Sequence, residues 1–307
     1  MPVSELVAVA RTTDERWHSP LGDAAAQVWG YGGAVFVRSS ACHVFVTDRD
    51  DAGRRLVLRL RPAHDPGAAR LRTSARAAAT LSAAGAPMAA PVPALSGDLV
   101  ETVDGYAVMA LETVEGDTCE NDDIDCDRAL RWGRALADLH DRAGAADDSD
   151  FDSDSGAGAG PPEGGDPVDR PRTPEVFGVL HGDPEADNLV WAADGAATFV
   201  DPDDVHAGWF AADVAFALRD WAPPAGAPDL ADPVPQAFVE GYRSRRRLSD
   251  EELGWMPLFA RAAAARTLRG LEPVLAEPVD PDWPDWAHRL VARVAERAAA
   301  LGRALDG

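Results

Sequence analysis

The sequence predicts an α+β fold of two lobes, in which a small antiparallel sheet is followed by a mainly helical lobe. Three observations support this prediction. Short stretches rich in Val, Phe and Leu alternate with turn signals in the first third of the chain. Helical spacing of apolar residues dominates after Gly116, and 307 residues suffice for two domains or one large two-lobed one. We place the lobe boundary between 1–111 and 112–307.

Five strands and one helix are expected in the first lobe. The segments 34–38, 42–47 and 55–60 are short and apolar, and an acidic, glycine-containing loop separates the second from the third, as in a hairpin. The next segment carries apolar residues at helical spacing, namely Leu71, Ala75, Ala78 and Leu81. Three prolines then end this helix before two further strands, over 99–103 and 106–111.

Helical periodicity characterises the second lobe. Apolar and small residues three to four apart mark a helix of about 13 residues that ends near Gly144. Ser249 and Glu252 have the spacing of a capping box, and an amphipathic helix from Trp286 closes the chain. Between these helices, 145–170 is rich in Gly, Ser, Asp and Pro, which predicts a disordered surface insertion.

Charge and composition exclude several classes of partner. The chain has 29 basic and 52 acidic residues, a net charge of −23, so its overall field repels nucleic acids. All 29 basic residues are arginines, so an arginine must fill any role that needs a cation. No apolar run reaches the roughly 18 to 20 residues of a membrane helix, and three cysteines without metal-ligand spacing predict a reduced, cytoplasmic protein. Composition does not indicate the oligomeric state.

The segment 176–201 carries the chemistry. The apolar stretch 176–180 predicts a strand that delivers His181, Gly182 and Asp183 to an exposed turn. Two further strands, 188–191 and 196–200, flank an Asp-Gly turn and therefore predict a hairpin.

The hairpin brings polar side chains to one end. Asn188 opens the outgoing strand and Asp201 follows the returning one, so we expect their side chains about 5 Å apart, where an amide oxygen and a carboxylate suit a magnesium ion. Asp183 is expected beside that ion. A carboxylate there can accept the proton of an attacking hydroxyl while the metal neutralises phosphate charge, as phosphoryl transfer requires.

The pattern His-Gly-Asp, an Asn five residues after that Asp and an Asp thirteen residues further on resembles the aminoglycoside phosphotransferase family. That family has homoserine-kinase-like and choline-kinase-like relatives on the protein-kinase-like fold. The resemblance implies that Asp183 is the catalytic base, that Asn188 and Asp201 bind Mg²⁺, and that ATP is the co-substrate. It also implies structural roles for His140 and Asp213.

A weaker resemblance extends over the first lobe and implies nucleotide-binding positions there. The strand at 55–60 resembles the one that carries the family's phosphate-binding basic residue, and Arg59 is the candidate; a solvated charge on an edge strand is the alternative. Backbone amides near Ser39 and Ser40 are candidates for phosphate contacts, and the backbone from Leu111 to Thr113 for the base. The segment between Asp65 and Asp98 contains no acidic residue, so it supplies no ion-pair partner for Arg59.

The sequence therefore predicts a phosphotransferase that moves the terminal phosphoryl group of ATP to a hydroxyl of a small molecule. A bacterial protein Ser/Thr kinase of the same family and a nucleotide-binding module without catalysis remain alternatives. Eight acidic residues and no basic one lie in 112–127. This local excess favours a cationic acceptor, and a solvated acidic loop is the alternative.

Overall fold

The computed structural model describes residues 1–143, 168 and 170–306. Their contacts define two units that are interleaved along the chain. The sheet unit comprises Met1–Arg72, Pro91–Thr113 and Ala265–Gly307, and the helical unit comprises Thr73–Ala90 and Val114–Ala264. The functional boundary predicted after Leu111 stays a prediction. Apart from Val168 and Arg170, the predicted insertion at 145–170 lies outside the described residues.

An antiparallel sheet of five strands is the centre of the sheet unit, and its strand order is β1-β2-β3-β5-β4. The predicted strands are confirmed with shifts of one or two residues at their ends. Their bounds are β1 (Ala34–Ser39), β2 (His43–Thr47), β3 (Leu56–Pro62), β4 (Val100–Val103) and β5 (Tyr106–Glu112). Register pairs Val44 with Arg59 and Phe45 with Leu58, so these two pairs lie on opposite faces.

One face of the sheet packs on short helices that precede it. These are α1 (Val3–Arg11) and α2 (Pro20–Val28). Ser19 caps α2 by accepting a hydrogen bond from the Gly22 amide, and Pro20 fits the first helical position. Buried apolar side chains of α2 and of the sheet then form one core, which includes Ala25, Ala26, Phe45, Leu58, Leu60 and Val108.

The C-terminal helix belongs to the same unit. α9 (Asp285–Asp306) confirms the predicted closing helix, and its Ala287 packs with Trp283 against Val3 and Val7 of α1. The Glu277 carboxylate, which precedes α9 in the chain, accepts hydrogen bonds from the amides of Val3 and Ser4, the first residues of α1. A carboxylate at a helix N-terminus satisfies free amides and complements the helix dipole.

The helical unit is built on two helices in close contact. These are α4 (Cys126–Ala143) and α6 (Pro233–Arg243). A Cβ on Gly133 would lie 2.0 Å from the Phe238 carbonyl oxygen, and one on Gly241 would lie 2.0 Å from the Leu130 carbonyl oxygen, so both glycines are required for this approach. Around the contact lies the larger core of the protein, which includes Trp132, Leu136, Leu139, Phe210, Phe238 and Tyr242.

The remaining elements of the helical unit place the candidate site. Two small antiparallel pairs, β6 (Phe177–Leu180) with β9 (His206–Trp209) and β7 (Leu189–Trp191) with β8 (Ala197–Phe199), precede α5 (Phe210–Ala217). α7 (Asp250–Gly254) begins with the predicted capping box of Ser249 and Glu252. α3 (Pro66–Ala83) and α8 (Met256–Ala276) each contribute residues to both units. Within the described ranges, no helix has the length and apolar character needed to span a bilayer.

Candidate active site

The turn after β6 has a backbone shape that requires glycine. Gly182 adopts φ +84°, in the left-handed region, and a Cβ there would lie 2.1 Å from the carbonyl oxygen of Asp204. Any side chain at this position would combine an unfavourable conformation with a backbone clash. The predicted strand and turn are thus confirmed, and Asp183 immediately follows the restricted position. The prediction that the turn is exposed is wrong, because His181 and Gly182 are buried against Asp213 and the residues around it.

Asp213, in the first turn of α5, holds this turn from behind. Its carboxylate accepts hydrogen bonds from the His181 amide at 2.8 Å and from the Gly182 amide at 3.0 Å. The side chain is buried. Two amides directly before Asp183 are therefore fixed by one carboxylate, which agrees with a structural role for Asp213.

His140 of α4 joins three helices behind the turn. Its Nε2 lies 3.1 Å from Asp213 Oδ2, and its Nδ1 lies 2.8 Å from the hydroxyl of Tyr242 in α6. Burial lowers the pKa of His140, so the neutral ring donates from Nε2 to the carboxylate and accepts the Tyr242 proton at Nδ1. Burial opposes ionisation of Asp213, but the hydrogen bond from His140 keeps its pKa below the usual value.

His181 connects the turn to the end of β8. Its Nε2 lies 3.0 Å from the carbonyl oxygen of Val200, and burial lowers its pKa. A neutral ring that donates from Nε2 has an unprotonated Nδ1, and among the described residues this buried Nδ1 has no hydrogen-bond partner. His181 therefore orients the turn by a hydrogen bond and has no place in the proposed proton transfer.

Asp183 and Asn188 are brought together by direct hydrogen bonds. Asn188 Nδ2 donates to the main-chain oxygen of Asp183 and to its Oδ2, both at 3.0 Å. Asn188 is buried and lies at the end of a single 3₁₀ turn that leads into β7. Because its Nδ2 faces Asp183, the amide oxygen Oδ1 is the atom left to serve as a metal ligand.

Asp201 follows the returning strand of the hairpin. The Val200 amide donates to the Asn188 carbonyl oxygen at 2.9 Å, which places Asp201 one residue beyond Asn188 across the two strands. Asp201 adopts φ +63° and ψ +60°, a left-handed conformation that Asp tolerates better than most residues. The predicted hairpin is confirmed, and it returns Asp201 to the end of the hairpin where Asn188 and the turn of Asp183 lie. The predicted separation of about 5 Å between the Asn188 and Asp201 side chains stays a prediction.

A donor set of one amide oxygen and carboxylates fits Mg²⁺, a hard cation that prefers oxygen ligands and keeps places for waters and phosphates. Asn188 Oδ1 and the Asp201 carboxylate would hold it. The described residues contain no group of three or more His, Cys, Asp or Glu side chains arranged to hold a metal ion. An all-protein cage of the kind that binds zinc is therefore not found in them.

The electrostatics of Asp183 come from burial and from its charged neighbours. Burial raises its pKa to about 6; Asp204 and Asp187 act in the same direction, whereas Arg219 and Asn188 act against it. Arg219 Nη1 donates to Asp183 Oδ1 at 3.2 Å, and the same guanidinium pairs with Glu185. A carboxylate with a pKa near 6 is ionised at neutral pH and is a stronger base than an ordinary Asp.

The candidate phosphate-binding arginine lies in the middle of the sheet of the sheet unit. Arg59 is only 4% exposed and belongs to β3, the central strand, so the alternative of a solvated edge charge is wrong. Arg38 pairs in register with Val44 of β2, and Val44 pairs with Arg59. Cross-strand partners share a face, so two arginines lie on the same face with one strand between them.

The other predicted nucleotide residues also belong to the sheet unit. Ser39 ends β1 and Ser40 follows in the turn, where its amide donates to the Cys42 carbonyl oxygen at 2.9 Å. Leu111 is buried in β5, and Thr113 Oγ1 donates to the Arg55 carbonyl oxygen at 3.3 Å. Their roles toward a nucleotide remain predictions.

Three residues of potential function were not identified from the sequence, namely Arg38, Glu185 and Arg219. Arg219 and Asp183 are 36 residues apart. Their pairing depends on how α5 returns beside the turn, and no local pattern signals it. Arg38 could have been found, because it ends the first predicted strand and strand pairing places it near Arg59.

A partly buried carboxylate on a glycine turn, hydrogen-bonded to Asn188 in an α+β fold, is consistent with a phosphotransferase of kinase-like fold. The model of the phosphotransferase enzyme family, APH, matches residues 39–163 and 168–248. The chain belongs to this family, which confirms the resemblance seen in the sequence.

Individual proteins agree with this assignment. A homoserine kinase of Neisseria meningitidis serogroup B (strain ATCC BAA-335 / MC58) is 34% identical over 89 residues, but the match spans only 29% of either chain. An amicoumacin kinase solved with AMP-PNP and Ca²⁺ has a TM-score of 0.64 at 16% identity, with 88% of each chain covered. A microcompartment-associated aminopropanol kinase has a TM-score of 0.61 at 20% identity, covering 92% of this chain and 96% of the other. A Plasmodium vivax ethanolamine kinase has a TM-score of 0.58 at 11% identity, covering 87% of this chain and 81% of the other. These structures support the kinase-like fold.

Proposed function

We propose that this protein transfers the terminal phosphoryl group of ATP to a hydroxyl group of a small molecule, with Mg²⁺ as the cofactor. The observation that carries the proposal is the position of Asp183, a carboxylate of raised pKa that accepts a hydrogen bond from Asn188 on a turn fixed by Asp213. Family membership supports the reaction class. The proposed reaction takes place in the cytoplasm.

Asp183 is the proposed general base. Its ionised Oδ atoms accept the proton of the acceptor hydroxyl as that oxygen attacks phosphorus, and the proton resides on the carboxyl group until product leaves. Asn188 Oδ1 and Asp201 are the proposed metal ligands. Mg²⁺, when bound, neutralises phosphate charge and aligns the transferred group. Arg59 is the proposed phosphate-binding cation, in place of the lysine that this chain lacks.

The proposed acceptor carries a positive charge. The exposed Asp122 and Asp123 lie in a short turn that begins with Asn121, whose Nδ2 donates to Asp220 at 2.6 Å. Asp220 directly follows Arg219, the residue that contacts Asp183, so this acidic turn is anchored near the proposed base. Carboxylates in such a position attract a cationic group to the acceptor site. The aminopropanol and ethanolamine kinases suggest amine-bearing alcohols as the first compounds to test.

The test is a screen for ADP release from Mg-ATP with a panel of hydroxylated compounds, which includes amino alcohols, aminoglycosides, homoserine, choline and neutral sugars. We expect turnover with at least one amine-bearing alcohol and a new phosphate ester in the ³¹P NMR spectrum. Phosphate found only on added protein would favour a protein kinase. Binding of ATP without transfer to any compound or protein would favour a non-catalytic module.

A further inference from the structure

A buried chain of hydrogen bonds in the sheet unit connects α1 to the turn between β1 and β2. Ser39 Oγ lies 2.6 Å from His43 Nδ1, and His43 Nε2 lies 3.3 Å from Glu5 Oε1 of α1. The hydroxyl of Tyr106 donates to the same Glu5 oxygen at 2.5 Å. His43 is fully buried, and the Glu5 side chain is 23% exposed. None of these side chains takes part in the chemistry proposed for Asp183.

The chemistry of the four groups fixes the direction of the hydrogen bonds. A carboxylate only accepts, so Tyr106 and the Nε2 of His43 both donate to Glu5. Burial raises the pKa of Tyr106, which keeps its hydroxyl protonated, and burial lowers the pKa of His43. The neutral ring then has an unprotonated Nδ1, and the Ser39 hydroxyl donates to it. The chain of donors runs from Ser39 through His43 to Glu5.

The strand register determines which face of the sheet holds this chain. Ser39 pairs with His43, and His43 pairs with Leu60 of β3, so these side chains share the face that carries the core of the sheet unit. Arg59 lies on the opposite face. The Ser39 hydroxyl is therefore directed away from the arginine face and is engaged by His43. The Ser40 amide is engaged by the Cys42 carbonyl oxygen, so a phosphate would meet the backbone of the turn beyond Ser40.

We propose that His43 is a positioning residue for nucleotide binding: by holding Ser39, it fixes the backbone of the turn 39–42 in the shape that receives the phosphates of ATP. Glu5 and Tyr106 orient the imidazole, so α1 supports the turn from the core side. This inference rests on the proposed function, because it assumes that the turn contacts ATP. It assigns a role to the N-terminal helix, for which the sequence pattern gives no indication.

The test is calorimetric titration of the full chain with Mg-ATP. Ser39→Ala and His43→Gln both remove the Ser39–His43 hydrogen bond, and we expect each to raise Kd and the KM for ATP by about 3- to 10-fold, the usual effect of one neutral hydrogen bond, with kcat unchanged. His43→Asn retains a polar group at the position of Nδ1, so it should recover most of the affinity that His43→Gln loses. Ser96→Ala is the matched control, since the hydroxyl of the exposed Ser96 contacts Glu101 instead.

Two results would overturn the inference. The first is wild-type affinity for ATP in both Ser39→Ala and His43→Gln. The second is a raised Kd in Ser39→Ala alone, since that indicates direct contact between the hydroxyl and the phosphate. If the buried His43→Gln protein does not fold, as judged by its thermal transition, equal affinities of Ser39→Ala and the wild type refute positioning. Failure of the wild type to bind ATP at all would overturn the proposed function as well, which distinguishes the two failures.

Discussion

Asp183 is the residue on which the proposed chemistry depends, and its pKa of about 6 determines the expected pH dependence. A general base is active when it is ionised, so kcat/KM for the acceptor should fall as pH decreases through about 6 and should be level from about 7 to 8. The measurement is kcat/KM from pH 5 to 8 at saturating Mg-ATP. A profile that stays level down to pH 5 would contradict the base assignment.

Substitution of Arg219 tests whether Asp183 is the group that titrates in the pH profile of kcat/KM. The positive charge of Arg219 lowers the pKa of Asp183, so Arg219→Ala should move the acid limb of the profile to higher pH, by about one unit, the lower end of the effect of an adjacent opposite charge. Arg219→Lys keeps the charge and serves as the matched control, with a smaller displacement. An acid limb that stays in place in Arg219→Ala would show that a group other than Asp183 titrates.

Among single residues, the sequence predicts those of a local motif better than the distant residues that contact the motif in the folded protein. Asp183, Asn188 and Asp201 lie within one turn and one hairpin, where chain order and strand pairing determine proximity. Arg219 reaches Asp183 only through the path of α5. A contact of this kind depends on tertiary packing, which no short spacing encodes.

Among the elements, the turn of His181, Gly182 and Asp183 is the one most sensitive to a small substitution. Gly182→Ala places a Cβ against the Asp204 carbonyl at a left-handed backbone position, so we expect a loss of about 1–3 kcal/mol in unfolding free energy and a large loss of activity. Urea denaturation and the ADP-release rate measure the two effects.

The control for this prediction is Gly270→Ala in α8. A Cβ at Gly270 meets no atom within 4 Å, and helix propensity favours alanine by up to about 1 kcal/mol. Gly270→Ala should therefore leave activity intact and be neutral or slightly stabilising. Equal stability of the wild type and Gly182→Ala would show that the turn does not require glycine.

The lengths of some helices, and the presence of others, are not predicted by the sequence. The helix expected to have about 13 residues is α4, which has 18, because Asp125 Oδ1 accepts a hydrogen bond from the Arg128 amide and so caps an earlier start. No element is predicted before residue 34, although α1 and α2 lie there. Helices of nine residues are marginal alone and form here because they pack on the sheet and on α9.

For the whole molecule, the net charge of −23 is the physical basis of the proposal that the acceptor is cationic. We expect the KM for the best acceptor to rise between about 50 and 300 mM salt, because screening shortens the reach of surface carboxylates. Changing Asp122 and Asp123 to Asn should raise this KM at low salt and weaken its salt dependence.

The variant with Asp122 and Asp123 changed to Asn keeps Asp125, because Asp125 caps α4 and its loss would lower the stability of the protein. Exchanging the exposed Glu272 of α8 and Glu296 of α9 for Gln is the matched control for total charge. A neutral best acceptor, or a KM that responds to neither salt nor the Asp122 and Asp123 changes, would assign the acidic turn to solubility alone.

The central claim is that Asp183 carries out base catalysis in phosphoryl transfer from ATP to a small hydroxyl acceptor. The most direct test is the transfer rate of Asp183→Asn with the acceptor identified in the screen, measured together with its Kd for Mg-ATP. We expect the rate to fall by at least about 100-fold while Kd changes little, because the substitution removes the proton acceptor and keeps the shape of the side chain. A rate within about tenfold of the wild type would contradict the account.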